Sequence, residues 1–291
     1  MRKQLKLKLF NKSMKKPKIK NLVLSGGGIK GLAICGALEK LDEKMKILST
    51  VKTIIGSSIG AFVGFFLSIG LSIKKIKAIY CSFNFNDFQE VDLKLFISKF
   101  GLDEGNKFLS LVKATIVTQG YDPKITFKDL EKISKYKLII VGTNVNLSSA
   151  KYFSSEHTPD FEVYQALRIS GGYPLAFTPV EIDGDLFSDG GIVSPLPSEL
   201  IPKSEVNKTL GLAIHRSNKR YKTDNVFEYL FGVISCILDS LLDKNIESLK
   251  HVILLSYPIG PMEFGIDNDE KQKLYNYGTE MADNWLNNFE K

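Results

Sequence analysis

A chain of 291 residues with 44% hydrophobic side chains can bury a continuous core, and three cysteines scattered at Cys35, Cys81 and Cys236 cannot build a disulfide framework. The formal charge of +7 sits at one end: Met1 to Lys20 holds nine Lys and Arg and no acid, so taking those nine from +7 leaves −2 for the remainder. That distribution excludes the folded basic stripe by which proteins read nucleic acid, and the odd, separated thiols point to a reducing compartment.

Residues 1–20 therefore read as a basic tail and 21–291 as one domain, since no Pro-, Gly- or Ser-rich linker and no internal repeat divides the rest. The tail lacks the apolar core of a secretory signal, which places the protein in the cytoplasm or peripherally on a membrane. A like-charged block of this kind is a disordered, solvated arm or, given Leu5, Leu7, Leu9 and Phe10 among the charges, an electrostatic tether to anionic lipid.

Asn21 to Leu24 reads as a strand feeding Gly26-Gly27-Gly28, and Ile29 to Leu41 as the helix that follows. The next strand is Val51 to Ile55, with helices from Ile59 to Ser72 and from Ile73 to Cys81. Between Lys52 and Lys74 lies TIIGSSIGAFVGFFLSIGLSI, charge-free and long enough to cross a bilayer. Its inner pattern argues against a membrane span: a β-branched strand, a Gly-Ser-Ser-Ile-Gly turn and an apolar helix make a buried unit of equal hydropathy.

Ser82 to Gly120 is aromatic and helix-like, and its Phe83, Phe85, Phe88, Phe96, Phe100 and Phe108 either pack the core or form a mobile, lipid-facing cap. Thr126 caps a short helix through Lys132. Lys137 to Val141 is a buried strand ending in Gly142-Thr143-Asn144, and Tyr152-Phe153 lies on another. A helix from Glu162 to Ile169 leads to the strands Val180 to Ile182 and Asp185 to Ser188. Leu210 to Ile214, an amphipathic helix over Val226 to Leu249, the strand Val252 to Leu255 and a helix from Glu270 to Phe289 follow. This alternation predicts an α/β fold, three-layer α/β/α with a mainly parallel central sheet.

The chemistry gathers at the strand ends. Gly56-Ser57-Ser58-Ile59-Gly60 fits Gly-x-Ser-x-Gly between strand and helix, which forces its serine into a strained turn at a helix N-terminus, where the dipole favours developing negative charge. Ser57 competes as nucleophile, but only Ser58 has glycine at both minus two and plus two. The backbone N–H groups of Gly26, Gly27 and Gly28 can converge on one oxyanion, a contribution of about 2.7–4 kcal/mol per donor in comparable sites. A nucleotide cradle is the competing reading; the GxGxxG spacing is nominally met at Gly26, Gly28 and Gly31, but no acidic residue ends a clear second strand and the Walker spacing is absent. Lys30 holds the loop, meets a lipid phosphate or is an ordinary surface lysine. Asp189, in Ser188-Asp189-Gly190-Gly191, is a turn residue or a base.

These three motifs, in this order, resemble the patatin-like phospholipase family over Asn21 to Leu200, whose serine is activated by an aspartate with no histidine. Ala166-Leu167-Arg168-Ile169-Ser170 followed by Tyr173-Pro174, Phe177 and Pro179 is similar to the family's segment leading into the aspartate strand, and Ile182-Asp183-Gly184 with Phe187-Ser188-Asp189-Gly190-Gly191 to that strand itself. The resemblance implies a lipid acyl hydrolase of the phospholipase A or lysophospholipase type, with Ser58 as nucleophile, Asp189 as base and Gly26, Gly27 and Gly28 as the oxyanion loop. It implies no cofactor, calcium-independent hydrolysis and membrane phospholipid or another acyl lipid as substrate. Ser194-Pro195-Leu196-Pro197 stands where the family often has asparagine shortly after its Asp-Gly-Gly, a departure that bears on the local loop.

Two rivals stand beside this reading. A Ser-Asp-His esterase would use His215, at the end of Leu212-Ala213-Ile214, or His251, both of which follow Asp189 in the chain order of that triad. A catalytically silent lipid-binding or scaffold protein would keep the fold alone. His157, His215 and His251 are too dispersed to form a metal-ligand cluster. The apolar surroundings of the three cysteines predict buried core thiols.

Overall fold

The computed structural model describes residues 16–82, 93–215, 223–259 and 265–289. In chain order, β1 (Asn21–Leu24) passes through a 3-10 turn into α1 (Gly31–Met45), followed by α2 (Ile47–Thr50), β2 (Thr53–Ser57), α3 (Ile59–Ser68) and α4 (Ile73–Ser82). Next come α5 (Leu93–Lys99), β3 (Gly101–Asp103), α6 (Asn106–Thr118), α7 (Phe127–Ile133), β4 (Lys137–Asn144), β5 (Ser149–Phe153) and α8 (Val163–Ser170). After β6 (Leu175–Phe177), β7 (Val180–Ile182) and β8 (Asp185–Asp189) lie β9 (Thr209–Ile214), α9 (Val226–Glu247), β10 (His251–Leu255) and α10 (Asn268–Asn287).

The main sheet has the order β10-β9-β1-β2-β4-β8-β7, with β5 also on β4. From β10 to β4 the strands are parallel, and β5, β7 and β8 are antiparallel to their partners. Strands buried on both faces read as unbroken apolar runs, and β1 and β9 are buried at every position. Leu22, Leu24, Ile54 and Ile140 point into a large core under α1, α3, α8 and α10, while Val23, Ile55, Ile139, Val141 and Ala213 face a smaller one with Leu242 of α9. Helices thus cover both faces, giving the three-layer α/β/α arrangement with a mainly parallel sheet. Burying each of these Leu, Ile or Val side chains is worth about 1.5–3 kcal/mol.

The charge-free run is a strand, a turn and a helix, as its inner pattern implied. All ten residues of α3 are buried, which is why the helix is apolar on every side. No helix among the described residues is long and apolar enough to cross a membrane. Outside α3, α1 meets α10 where Gly36 and Gly278 let the two backbones touch; a Cβ on Gly278 would collide with the Ala33 carbonyl oxygen.

Several boundaries differ from expectation. α1 runs on to Met45, α3 stops at Ser68, and β2 begins two residues late because Val51, although extended, leaves the ladder to Thr53. The region expected to be helical from Ser82 to Gly120 contains the strand β3, which pairs with β6. Its Phe83, Phe85 and Phe88 lie outside the described residues. Phe108 packs edge-on to Phe62 at 4.6 Å, whereas Phe100 is 61% exposed, so the region divides between core and surface. The thiols divide as well: Cys35 is buried, Cys81 is half-buried and Cys236 is exposed, the last because the outer side of α9 is apolar without being covered.

Candidate active site

The Gly-x-Ser-x-Gly turn is built by close backbone approach. A Cβ on Gly56 would sit 2.5 Å from the Ala61 nitrogen, and one on Gly60 would collide with the Leu24 carbonyl oxygen. With both positions bare, strand and helix close on Ser58, which takes φ 51 and ψ −126 at the N-cap of α3. A non-glycine residue in that region carries strain on the order of 1–3 kcal/mol. The Ser58 N–H donates to the Ser170 hydroxyl at 2.9 Å, which anchors the strained residue to the last turn of α8.

β4 brings the aspartate to the serine. Its edge facing β2 pairs with that strand over Lys137 to Val141, and its opposite edge pairs with β5 over Ile140 to Asn144. β8 pairs with Gly142 to Asn144, so it takes up the first edge where β2 leaves it, running the other way. Asp189, the last residue of β8, arrives beside the end of β2. Its backbone is fixed by Asp189 N–H to Gly172 O at 3.0 Å and by the Thr143 hydroxyl to Asp189 O at 2.7 Å.

The Asp189 carboxyl is 3% exposed, and only Oδ1 is hydrogen-bonded, accepting from the Gly191 N–H at 2.7 Å. Oδ2 is buried without a hydrogen-bond partner among the described residues. Desolvation pushes the carboxyl up to about 7, against the smaller opposing pulls of the Ser58 hydroxyl and the Gly191 N–H. The Ser58 hydroxyl is thus close enough to act on Asp189, although the pair falls short of hydrogen-bond geometry at Oδ2.

The glycine loop lies against the same serine. A Cβ on Gly26 would stand 3.2 Å from Ser58 Cβ, and one on Gly27, at φ 148, would stand 2.6 Å from Ile214 Cγ2. Ser25, buried, receives the Ile214 N–H on its hydroxyl at 2.7 Å and so ties the loop to β9. The Gly26 N–H, expected to face an oxyanion with the other two, donates to Pro195 O at 3.1 Å. That departs from the expectation: a backbone carbonyl of the loop after β8 occupies this donor. Gly27 and Gly28 open the 3-10 turn, whose first internal bond runs from Lys30 N–H to Gly27 O at 3.3 Å, so their N–H groups lie where a helical start leaves donors unpaired. Lys30 is 4% exposed, which overturns the surface-lysine alternative.

The histidines stand apart. His251 shares its level with Leu210, Leu22 and Ile54 across the sheet, which puts it about 13 Å below Ser58 along the strands and about 14 Å across them. Its ring meets Trp285 and Phe289. His215 is nearer, at the upper end of β9, but its Nε2 is 2.8 Å from Asp243 Oδ1 on α9. Among the described residues no three His, Cys, Asp or Glu side chains could hold a metal ion.

The sequence pattern of the patatin-like phospholipase family matches residues 22–200. The chain belongs to that family. An uncharacterized protein of Acanthamoeba polyphaga mimivirus is 30% identical to it over 295 residues, spanning 92% of this chain and 93% of its own length. A probable lipid hydrolase of Invertebrate iridescent virus 6 is 30% identical over 200 residues, covering 67% of each chain. Among solved structures, VipD from Legionella pneumophila aligns with a TM-score of 0.68 at 17% identity, over 93% of this chain and 67% of that one, a likeness of fold. Gly26, Gly27, Gly28, Ser58, Ser170 and Asp189 all fall inside the matched segment, whereas Ile214, His215 and His251 lie beyond it. Ser170, whose hydroxyl meets the Ser58 N–H, was not singled out from sequence, although it lay in the stretch compared with the family's; its signal was a serine four residues ahead of Pro174, between Ile169 and Gly171.

Proposed function

We propose that this patatin-like protein hydrolyses the acyl esters of lipids through Ser58 and Asp189, by way of an acyl-enzyme. The reading rests on one observation: a buried carboxylate with an unpartnered oxygen, its pKa raised to about 7, stands beside a serine held in a strained turn. Such a carboxylate is a usable base near neutral pH, where an ordinary aspartate would be too weak.

Asp189 takes the Ser58 Oγ proton as Oγ attacks the ester carbonyl carbon, and the developing oxyanion is held by the Gly27 and Gly28 N–H groups. Gly26 contributes space rather than a donor. The intermediate collapses by breaking the bond to the alcohol oxygen, which leaves with the proton from Asp189. Water then attacks the acyl carbon, Asp189 accepts its proton, and the fatty acid departs as the proton returns to Ser58. No step calls on a metal, so activity is calcium-independent. A histidine relay between Ser58 and Asp189 is disfavoured because His251 is distant and His215 pairs with Asp243 in place of Asp189.

Exposed apolar side chains support a lipid substrate. Val226, Tyr229, Val233 and Ile237 recur along α9 at 63, 59, 41 and 56% exposure, and Phe227 on the same helix meets Phe96 of α5 at 5.2 Å, beside the exposed Ile97 and Phe100. Phe231 reaches Tyr173, one residue beyond the Gly172 carbonyl that holds Asp189. The basic tail, of which residues 1–15 lie outside the described residues, is proposed to add affinity for anionic headgroups.

Mass spectrometry of products from mixed phospholipid and glyceride vesicles tests the function directly. Release of free fatty acid by the parent and not by Ser58→Ala is expected. Equal release by both would reject it, and failure of Ser58 to react with a fluorophosphonate probe in the folded protein would favour a scaffold.

A further inference from the structure

A nucleophile and base that work without an intervening histidine must be aligned by something else, because they arrive on separate strands and neither side chain fixes the other. Two residues where α8 ends, Ser170 and Gly172, hold one each. Ser170 accepts the Ser58 N–H at 2.9 Å; two residues on, Gly172 O accepts the Asp189 N–H at 3.0 Å and the Ser188 hydroxyl at 2.7 Å. Between them Gly171 lies against the Phe62 ring, where a Cβ would stand 3.0 Å from Cε2.

The clamp is itself pinned. Arg168, buried two residues before Ser170, donates from Nε to Glu104 O at 2.9 Å and from Nη2 to Thr178 O at 2.7 Å, tying α8 to the ends of β3 and β6. Ser170 is fully buried, so water does not compete for its hydroxyl.

We propose that Ser170 is a positioning residue for the reaction: by accepting the Ser58 N–H within a clamp that also holds Asp189, it sets the nucleophile against its base and stands in for the third member of a triad. The proposal rests on the Ser58–Asp189 reading. Ser170 touches neither substrate nor the transferred proton; it keeps Ser58 in its positive-φ conformation and turns that N–H away from the oxyanion position, leaving the role of donor to the glycine loop.

The test compares Ser170→Thr, Ser170→Cys and Ser170→Ala in the full chain, using a water-soluble short-chain p-nitrophenyl ester and fluorophosphonate labelling of Ser58. Threonine keeps the hydroxyl acceptor, a thiol accepts weakly and alanine does not accept. Activity and labelling rate are expected to fall together in that order, with kcat lowered about tenfold to a hundredfold in Ser170→Ala, KM within about twofold, and Ser170→Thr near the parent. Should the alanine variant fail to fold, the cysteine variant decides. Parent-like labelling of Ser170→Ala or Ser170→Cys, or equal losses in Ser170→Thr and Ser170→Cys, would overturn the proposal. Asp189→Asn separates the two levels: if it labels and turns over like the parent, the dyad reading itself fails, whereas its silence beside an unaffected Ser170→Ala removes the clamp alone.

Discussion

Ser57 and Asp189 stand opposite consecutive residues on one edge of β4, Val141 and Gly142. One strand ascends that edge and stops; the other descends it and stops one step away. The residue after Ser57 and the side chain of Asp189 are therefore brought together by sheet hydrogen bonds, and not by a mobile loop. Gly190 is part of the same fit, since a Cβ there would collide with the Val141 carbonyl oxygen and lie 2.9 Å from Ser57 Oγ.

That arrangement separates the dyad from a triad by mutation. Ser58→Ala and Asp189→Ala are expected to abolish hydrolysis of both vesicle lipid and soluble ester, while His215→Ala and His251→Ala each keep most of it. Steady-state rates on the soluble ester check this, and a thousandfold loss on removing His215 would restore the histidine mechanism.

The raised Asp189 pKa has two consequences of opposite sign. For catalysis the base must be ionised, so kcat/KM rises with pH through about 7 and then levels. For stability the folded state binds the proton more tightly than the unfolded chain, so this group's contribution is present in full below the ordinary aspartate pKa near 4 and is lost between about pH 4 and 7, on the order of 4 kcal/mol in all. Asp189→Asn, inactive and non-titrating, should gain thermal stability over the parent at pH 8 more than at pH 5. Melting temperatures at the two pH values decide; an unchanged difference would mean that Asp189 titrates as an ordinary carboxylate.

Glycines that look alike in the sequence are expected to respond oppositely. Gly60→Ala puts a Cβ against Leu24 O and should destabilise by about 1–3 kcal/mol or more, with loss of activity. Gly232→Ala meets nothing within 4 Å in the interior of α9 and should stabilise by about 0.5–1 kcal/mol. Urea midpoints of the two variants, read with parent-like m-values, measure both effects.

Much of this was legible because central parallel strands announce themselves as short apolar runs, and because a glycine on each side of Ser58 has one structural use. The predicted cap survived in detail: the Thr126 hydroxyl receives the Asp129 N–H at 3.2 Å. What was hidden depends on tertiary partners. β3 is three residues long and exists only through its pairing with β6, more than seventy residues away. The pairing of the Gly26 N–H with Pro195 follows from how the loop after β8 lies against the loop after β1, and neither it nor the burial of Lys30 is encoded by a local pattern. Ser170 carried a family resemblance in its surroundings, but its bond to Ser58 spans 112 residues.

The exposed side of α9 offers a test of how substrate reaches these strand ends. Val233 and Ile237 lie one turn apart, both largely uncovered, on a helix whose Phe231 meets Tyr173 near the site. An apolar patch exposed to water costs solvation unless something covers it, and under the proposed hydrolysis of acyl lipids the bilayer is the available cover. The double variant Val233→Glu, Ile237→Glu is expected to lose at least about tenfold in sedimentation with phosphatidylcholine vesicles and in their hydrolysis, because charge replaces buried apolar area. Hydrolysis of the soluble ester should stay within about twofold, since neither side chain reaches Ser58 or Asp189. Equal losses on both substrates would mean that the substitutions damage the fold, and undiminished vesicle binding would remove α9 from the lipid-facing surface.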